Sequence, residues 1–316
     1  MEILSFKKEH IKEAMAIALE NYYEEQKSVK ELPRINEIPD LRIFSENGLG
    51  VSAFEDYKMI GFLCCYSPWD HAFGSTAKGT FSPIHAHGAV SEKRKLIYQK
   101  LYQAAAEKWI EHQITYHAIA MYAHDKQALH AFSMYGFGIR CVDAIRAISN
   151  NIESLPQKKL TLKELSIEEM MEIKEMYELL SEHLGKSPCF LYTGERSFSR
   201  WITEKIKSKS SKVYVAKIDQ KPVSFIAVSN TGENFVTEVE GMKNICAAFC
   251  LSEYRGKGIF QNLLNYVIRQ LNQQGVRYLG VDFESFNPTA SGVWNKYFTP
   301  YTNSIVRRID EYVLNK

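Results

Sequence analysis

The fold is decided by the stretch Cys250-Leu251-Ser252-Glu253-Tyr254-Arg255-Gly256-Lys257-Gly258-Ile259. An apolar run before it predicts a strand over Lys243–Cys250, and the helical spacing after it predicts a helix over Gly258–Gln274. The first N–H groups of a helix have no partner within the helix, and they carry the positive end of its dipole. Two glycines let an anion approach this backbone, and Arg255 and Lys257 add positive charge. The stretch therefore predicts a phosphate-binding loop.

A glycine turn that merely begins a helix is the alternative for this short motif. The loop does not fit the Walker pattern GxxxxGK[ST], because one residue separates the glycines and Ile259 follows them. It does not fit GxGxxG either, because position 261 is Gln. The interpretation of this loop as phosphate-binding therefore depends on further features of the sequence.

The first of these features is an internal repeat. The segment Ile97–Tyr102 aligns with Ile259–Leu264 at an offset of 259 − 97 = 162 residues. The same offset pairs Tyr116 with Tyr278, Asp125 with Asn287, Ala128 with Ala290 and Phe132 with Trp294. A constant register across a helix, a strand and the next helix indicates duplication. Two unrelated α/β segments with the same periodicity are the alternative.

Two domains follow from the repeat and from the length of 316 residues, since one domain commonly has roughly 100–200 residues. We predict a first domain over 1–150, a polar linker over 151–159 and a second domain over 160–316. Each is predicted to be α/β (α+β), with a mixed, mostly antiparallel central sheet flanked by helices. Further predicted elements are strands near Lys78–Val90, Gly138–Ile148 and Ser304–Val313, and helices over Ile167–Leu184 and Phe198–Ser208.

The loop resembles the acyl-CoA signature of the GNAT superfamily of N-acetyltransferases, [Q/R]-x-x-G-x-[G/A]. Arg255 and Gly258 match it, whereas Phe260 stands where the family has its last small residue. Downstream, Asn287-Pro288-Thr289-Ala290 resembles the family's N-x-x-A start of the next helix. The resemblance covers the second half by layout, and its specific motifs span Phe249 to Phe298.

The first half is similar to a degenerate copy of the same domain. Its Asp125-x-x-Ala128 resembles N-x-x-A, but the stretch Ser91-Glu92-Lys93-Arg94-Lys95 has no glycine. Side chains would screen the backbone N–H groups there. The resemblance thus implies tandem GNAT-like domains, of which the second binds acyl-CoA and the first has lost that ability.

The resemblance also implies which residues bind the acyl-CoA. They are Phe249, Cys250, Leu251, Arg255, Gly256, Lys257, Gly258, Ile259, Phe260, Asn287 and Trp294. A backbone N–H of Cys250 or Leu251 would stabilise the tetrahedral oxyanion. The Asn287 side chain would bond the pantetheine arm, and a plain helix N-cap is its alternative role.

The implied reaction moves an acyl group from a CoA thioester, with acetyl-CoA as the expected co-substrate, to a primary amine. Because alkylamines have a pKa of about 10.4, a base must help to deprotonate the amine. Of Glu238, Glu240 and Glu284, the last two are the candidates. The family's acid is a tyrosine seven residues after the motif Asn, but 287 + 7 = 294 is Trp here. An indole N–H is no usable acid. Tyr297, one turn further on, is the predicted substitute, and a packed aromatic is its alternative role.

Composition narrows the partners. A net charge of +2 disfavours nucleic acid as a partner. The resemblance implies a small-molecule or peptide amine as the partner. No apolar run approaches the ~20 residues that span a bilayer, and the N-terminus has no signal-peptide pattern. We expect a cytoplasmic protein, a monomer or homodimer, without a membrane partner. The six cysteines form no CxxC pair, so we expect no metal site and predict that Cys246 and Cys250 are buried.

Two other functions remain open. A non-catalytic acyl-CoA-binding or sensing protein is indicated by Trp294 and by the glycine-free first loop. An aminoacyl transferase on a tandem GNAT scaffold would bind aminoacyl-tRNA, which the near-neutral charge disfavours.

Overall fold

The computed structural model describes residues 1–149, 153–157, 159–194, 197–207 and 211–315, with the backbone alone at 205–207. Its α-helices are α1 (Ile11–Ser28), α2 (Arg42–Glu46), α3 (Arg94–Glu111), α4 (Lys126–Ser133), α5 (Lys174–Gly185), α6 (Phe198–Trp201), α7 (Ile259–Gln273) and α8 (Pro288–Tyr297). Its strands are β1 (Glu2–Ser5), β2 (Val51–Glu55), β3 (Lys58–Leu63), β4 (Gly79–Ser82), β5 (His87–Ala89), β6 (Tyr116–Tyr122), β7 (Gly138–Ala147), β8 (Leu160–Glu164), β9 (Ser211–Ile218), β10 (Lys221–Ser229), β11 (Met242–Cys250), β12 (Tyr278–Glu284) and β13 (Thr299–Arg308). Short 3-10 turns cover Lys8–His10, Ala72–Gly74, Met170–Ile173, Phe235–Glu238, Ser252–Tyr254 and Glu311–Asn315, and a π-helical turn covers Ile202–Lys207.

The chain forms two compact units. Unit 1 comprises Met1–Val142 and Pro300–Lys316, and unit 2 comprises Asp143–Thr299. The segment Pro300–Lys316 belongs to unit 1. Strand β13 pairs antiparallel with β6, with Ile305 opposite Ile119, so the last strand of the second sequence half pairs within unit 1.

Unit 1 has an antiparallel sheet in the order β1-β2-β3-β5, and strand β6 lies between β4, which is parallel to it, and β13. Its core is rich in aromatic side chains, with Trp109, Tyr98, Tyr102 and Phe132 fully buried. The predicted strand near Lys78–Val90 is in fact two strands in two sheets, β4 and β5. Pro83 lies between them and cannot donate a backbone hydrogen bond to a sheet.

Unit 2 has antiparallel neighbours in the order β8-β9-β10-β11, and β12 is parallel to β11. Helix α7 packs on β9 and β10 through the buried Leu263, Leu264, Val267 and Ile268. Each of these aliphatic side chains stabilises the fold by roughly 1.5–3 kcal/mol. Their spacing predicts this helix, and the observed α7 differs from the prediction by one residue at each end.

The remaining elements largely follow the sequence prediction. The helix predicted over Ile167–Leu184 begins as the 3-10 turn Met170–Ile173 and becomes α-helical at Lys174. The closing strand predicted over Ser304–Val313 is β13, which begins five residues earlier at Thr299. Parts of the predicted linker, and Ser208 at the end of the predicted Phe198–Ser208 helix, lie outside the described residues.

The predicted class, α/β with mixed, mostly antiparallel sheets flanked by helices, is confirmed. The repeat offset also recurs in the structure. Adding 162 to the bounds of β6, 116 and 122, gives 278 and 284, the bounds of β12. Within the described residues, no helix is both long and apolar enough to cross a membrane.

Candidate functional site

A gap opens between β11 and β12 at the end where the loop Arg255–Gly258 follows β11. The two strands pair in parallel from Met242 opposite Tyr278 to Ile245 opposite Val281, and the pairing ends there. Both strands continue, β11 to Cys250 and β12 to Glu284. A register shift in the β10–β11 pairing leaves Cys246 as the extra residue of a β-bulge. The bulge bends β11 where the gap begins.

The bulge also corrects one prediction. Cys246 was expected to be buried, but it is exposed, whereas Cys250 is buried as predicted. The residues that follow, Ala247 to Phe249, are only partly buried. The edge of β11 that faces the gap is therefore open to solvent.

The loop Arg255–Gly258 leads into α7 in the predicted way. Gly256 has φ +72°, and Gly258, the N-cap residue, has φ +79°, a left-handed conformation that side chains disfavour. Within the described part of the chain, no side chain caps the N-terminus of α7. Its first N–H groups can therefore bind an anion, and the helix dipole favours one.

Two cations flank this helix end. Arg255 donates from Nε to the Cys250 carbonyl over 2.9 Å and lies 5.3 Å from the centre of the Phe249 ring. Lys257 lies with Nζ 5.8 Å from the centre of the Tyr254 ring. Both side chains are exposed, so their charge is available to a phosphate in solution.

The backbone of β11 distinguishes between Cys250 and Leu251 as oxyanion donors. The Leu251 N–H bonds the Val223 carbonyl over 3.0 Å, so it belongs to the β10 pairing. Hydrogen-bonding directions alternate along an antiparallel strand, so the N–H groups of Ala248 and Cys250 point away from β10, towards the gap. Of the two predicted oxyanion donors, Cys250 is therefore the one whose N–H points towards the gap.

Asn287 is the N-cap residue of α8, and its Oδ1 accepts the Ala290 N–H over 3.3 Å. The same Oδ1 lies 3.3 Å from His183 Nε2, at the end of α5. Sequence analysis missed His183, because nothing in the sequence places the end of α5 beside the start of α8. Capping uses the Oδ1 of Asn287, so its amide N–H₂ group can still donate a hydrogen bond in the site.

The two departures from the family pattern touch each other. Phe260 and Trp294 pack edge to face with ring centres 5.5 Å apart, and Trp294 packs in the same way on Phe298. A small residue at 260 would leave the Trp294 ring without this neighbour. Tyr297 is half-buried, and its hydroxyl donates to Gln261 Oε1 over 3.0 Å, which places it at the first turn of α7.

The predicted bases lie at opposite ends of the site. Glu240 precedes β11, and Met242 and Cys250 are eight residues apart, so it is more than about 26 Å along the strand from the loop. The structure does not bring Glu240 to the gap. Glu284, the last residue of β12, is at the correct end and is half-buried.

Asp282 is an acid that sequence analysis missed. It follows Val281, the last residue of β12 that pairs with β11, so it is the first residue of β12 in the gap. Desolvation raises the pKa of Asp282 well above its usual value, and the charges of Glu233, Asp143 and Glu284 raise it further. Asp282 is nevertheless exposed at the open gap, which weakens the effect of desolvation. The three neighbouring carboxylates still raise its pKa, because like charges disfavour ionisation.

A cavity of about 470 Å³ lies beside the loop, between α5 and the ends of β10 and β11. Phe249, Leu251 and Arg255 line it together with His183, Lys186 and Lys221. Four glutamates also face it: Glu172, Glu175, Glu182 and Glu253. Three predicted ligand-binding residues thus share one cavity, while Ile259 is buried in the core and offers only its backbone.

A comparison with known protein families matches the part of the chain that contains the loop Arg255–Gly258 and α8. Residues 173–298 match the model of the acetyltransferase (GNAT) family. The chain is similar in structure to a GCN5-related N-acetyltransferase from Sphaerobacter thermophilus, with 14% identity and a TM-score of 0.57, over 97% of this chain and 95% of that one. A functionally unknown conserved protein from Staphylococcus epidermidis is similar with 12% identity and a TM-score of 0.50, over 82% and 94%.

A tandem GNAT protein from the clavulanic acid biosynthesis pathway is similar over 96% of this chain and 97% of that one, with 14% identity and a TM-score of 0.46. No curated protein matches the sequence. Identities this low are evidence for the fold only. The predicted GNAT-like fold is confirmed.

Proposed function

We propose that unit 2 transfers an acetyl group from acetyl-CoA to a primary amine, because residues 173–298 match the model of the acetyltransferase (GNAT) family. The observation that carries this proposal is the uncapped N-terminus of α7, with Gly256 and Gly258 before it, at the open end of the β11–β12 gap. The diphosphate of CoA would bind the loop, and the pantetheine arm would lie in the gap beside Asn287.

The reaction is a direct transfer. The amine nitrogen attacks the thioester carbon, the C–N bond forms, and the carbonyl oxygen takes negative charge until the C–S bond breaks. The Cys250 N–H would stabilise that oxygen. The amine proton passes to a base, and the CoA thiolate takes a proton. Tyr297 is the proposed donor, although a thiol with a pKa near 8.5 needs little help.

We assign the base to Asp282. It stands in the gap, whereas Glu240 does not, and its raised pKa brings it closer to neutral pH, where a general base works best. Glu284, two residues along the same strand, lies on the same face of the sheet and takes the second place. The surrounding Asp143, Glu233 and Glu284 favour a cationic amine as the acceptor.

A non-catalytic acyl-CoA-binding protein is the second candidate. The contact between Phe260 and Trp294 favours it, because two large rings stand where the family has a small residue and its acidic tyrosine. Such a protein would bind CoA in the same loop and release no free thiol.

Release of free CoA thiol from acetyl-CoA tests the proposal across a panel of amines. We expect turnover with 1,4-diaminobutane and much less with glycine, whose carboxylate the acidic residues repel. Asp282→Asn should lower kcat by about a hundredfold without changing CoA affinity. In the wild type, kcat should rise with pH, since only the ionised Asp282 accepts a proton. CoA binding without turnover on any amine would contradict transfer and favour the second candidate.

A further inference from the structure

Residues 153–157 of the predicted linker lie along α7, and we call them the strap. Four α7-side residues face it: Gly258, Gln261, Asn262 and Asn265. Their spacing of three, four and seven residues from Gly258 places them on one face of the helix. This face is opposite the one that packs on the sheet through Leu263 and Val267.

Side chains of α7 hold the strap by its backbone. The Asn262 amide bonds Leu155 on both sides: it accepts the Leu155 N–H over 2.8 Å and donates to the Leu155 carbonyl over 2.7 Å. Gln261 donates to the Glu153 carbonyl over 2.6 Å, and Asn265 donates to Ser154 Oγ over 2.6 Å. Asn262 and Asn265 are buried as a result, although both belong to the polar face of the helix.

The strap also reaches the phosphate loop itself. Gln157 donates from Nε2 to the Lys257 carbonyl over 2.5 Å. A Cβ added to Gly258 would come within 2.6 Å of Leu155 Cδ1, so the Leu155 side chain lies against the bare face of this glycine. The Leu155 side chain therefore fills the space beside the backbone that Gly258, having no side chain, leaves open.

From these contacts we propose that the strap is an autoinhibitory segment, which competes with the diphosphate of CoA for the loop and must leave when CoA binds. This inference rests on the proposed function of unit 2. The competition is spatial, because the diphosphate and Leu155 both require close approach to the Gly258 backbone. Binding free energy is spent on displacing the strap, so the apparent affinity of CoA is reduced.

The strap is built to be released. Leu155 is 40% exposed, so its contact with the loop buries only part of an apolar side chain. The hydrogen bonds described for residues 153–157 run to side chains of α7 and to one loop carbonyl. These five residues form no strand, so their release breaks no sheet pairing. Segments with few buried apolar contacts open at low free-energy cost.

Calorimetry with CoA as the probe tests this proposal on the full chain. Leu155→Ala and Gln157→Ala should each lower the Kd for CoA, Leu155→Ala by about tenfold. Leu4→Ala is the matched control, since Leu4 on β1 is also 40% exposed, and its Kd should equal that of the wild type. In the wild type, CoA should also accelerate tryptic cleavage at Lys159, just beyond the strap.

The outcomes separate two failures. An unchanged Kd in both strap variants would overturn autoinhibition while leaving acyl-CoA binding intact. A raised Kd would also overturn it, because the strap would then be part of the binding site. If CoA binds neither the wild type nor the variants, the proposed function fails, and the strap has nothing to inhibit.

Discussion

The loop before α3 in unit 1 and the loop before α7 in unit 2 begin equivalent helices, yet different groups face the helix N-terminus. In unit 1, Arg94 stands at the position of Gly256 at the repeat offset (94 + 162 = 256), and its side chain is 7% exposed. Its Nη1 lies 2.6 Å from Glu24 and 3.1 Å from Asp125. In unit 2 the nearest cation to the loop glycines, Arg255, is exposed, and its described hydrogen bond runs to a backbone carbonyl.

The difference continues at the next helix. Asp125 caps α4 by accepting the Ala128 N–H over 2.9 Å, as Asn287 caps α8. One cap is an anion and the other is neutral. Unit 1 thus places its own carboxylates where a phosphate would bind, and the local cavity is about 250 Å³. A few residues at one helix end would thus decide whether this scaffold forms an anion-binding site or a packed ion-pair cluster.

The largest expected effect is the loss of CoA binding in Gly258→Glu. A carboxylate at the helix N-terminus would repel the diphosphate, and the new side chain would occupy the space beside the backbone that the diphosphate needs. We expect the Kd for CoA to rise at least a hundredfold by calorimetry. Gly136→Glu is the control for backbone strain, because Gly136 in unit 1 has the same φ of +79° and open space around it. An unchanged Kd in Gly258→Glu would refute our placement of the diphosphate.

Next in size are the opposite effects expected from removing the two arginines. Arg94→Ala leaves Asp125 without its buried partner and should lower the free energy of unfolding by about 3 kcal/mol, without changing CoA affinity. Arg255→Ala should lower stability by less than about 1 kcal/mol but weaken CoA binding about tenfold. Urea unfolding and calorimetry on both variants measure the pair. If Arg94→Ala weakened CoA binding and Arg255→Ala did not, the assignment of roles would be reversed.

The smallest effect is expected from Tyr297→Phe. The hydroxyl is bonded to Gln261 and is the proposed proton donor, but the CoA thiolate is a good leaving group. We expect kcat to fall by less than about tenfold and the Kd for CoA to stay constant. Tyr278→Phe, at the far end of β12, is the control. A fall in kcat of a thousandfold would show that Tyr297 is indispensable as an acid.

Much of this site was accessible from the sequence, because it depends on local rules. Glycines before a periodic helix predict the loop, and Asn287 followed by Pro288 predicts the start of α8. The repeat offset then identifies Asp125 as the counterpart of Asn287. These features need only neighbours along the chain.

The rest depends on contacts between distant segments. Asp282 becomes a candidate base only when the bulge at Cys246 opens the gap and Asp143 and Glu233 come close. The pairing of β13 with β6 is a long-range choice that strand patterns do not encode. The strap was missed because Gln261, Asn262 and Asn265 resemble an ordinary solvated helix face. A polar linker composition gives no sign of what the linker covers.

The number of CoA molecules bound per chain tests the central claim most directly. Titrating CoA into the wild-type protein in a calorimeter should give one site per chain, and Gly258→Glu should give none. Two sites per chain would contradict the claim that the ion-pair cluster around Arg94 excludes the ligand from unit 1. A single site that survives Gly258→Glu would contradict the assignment of the ligand to unit 2.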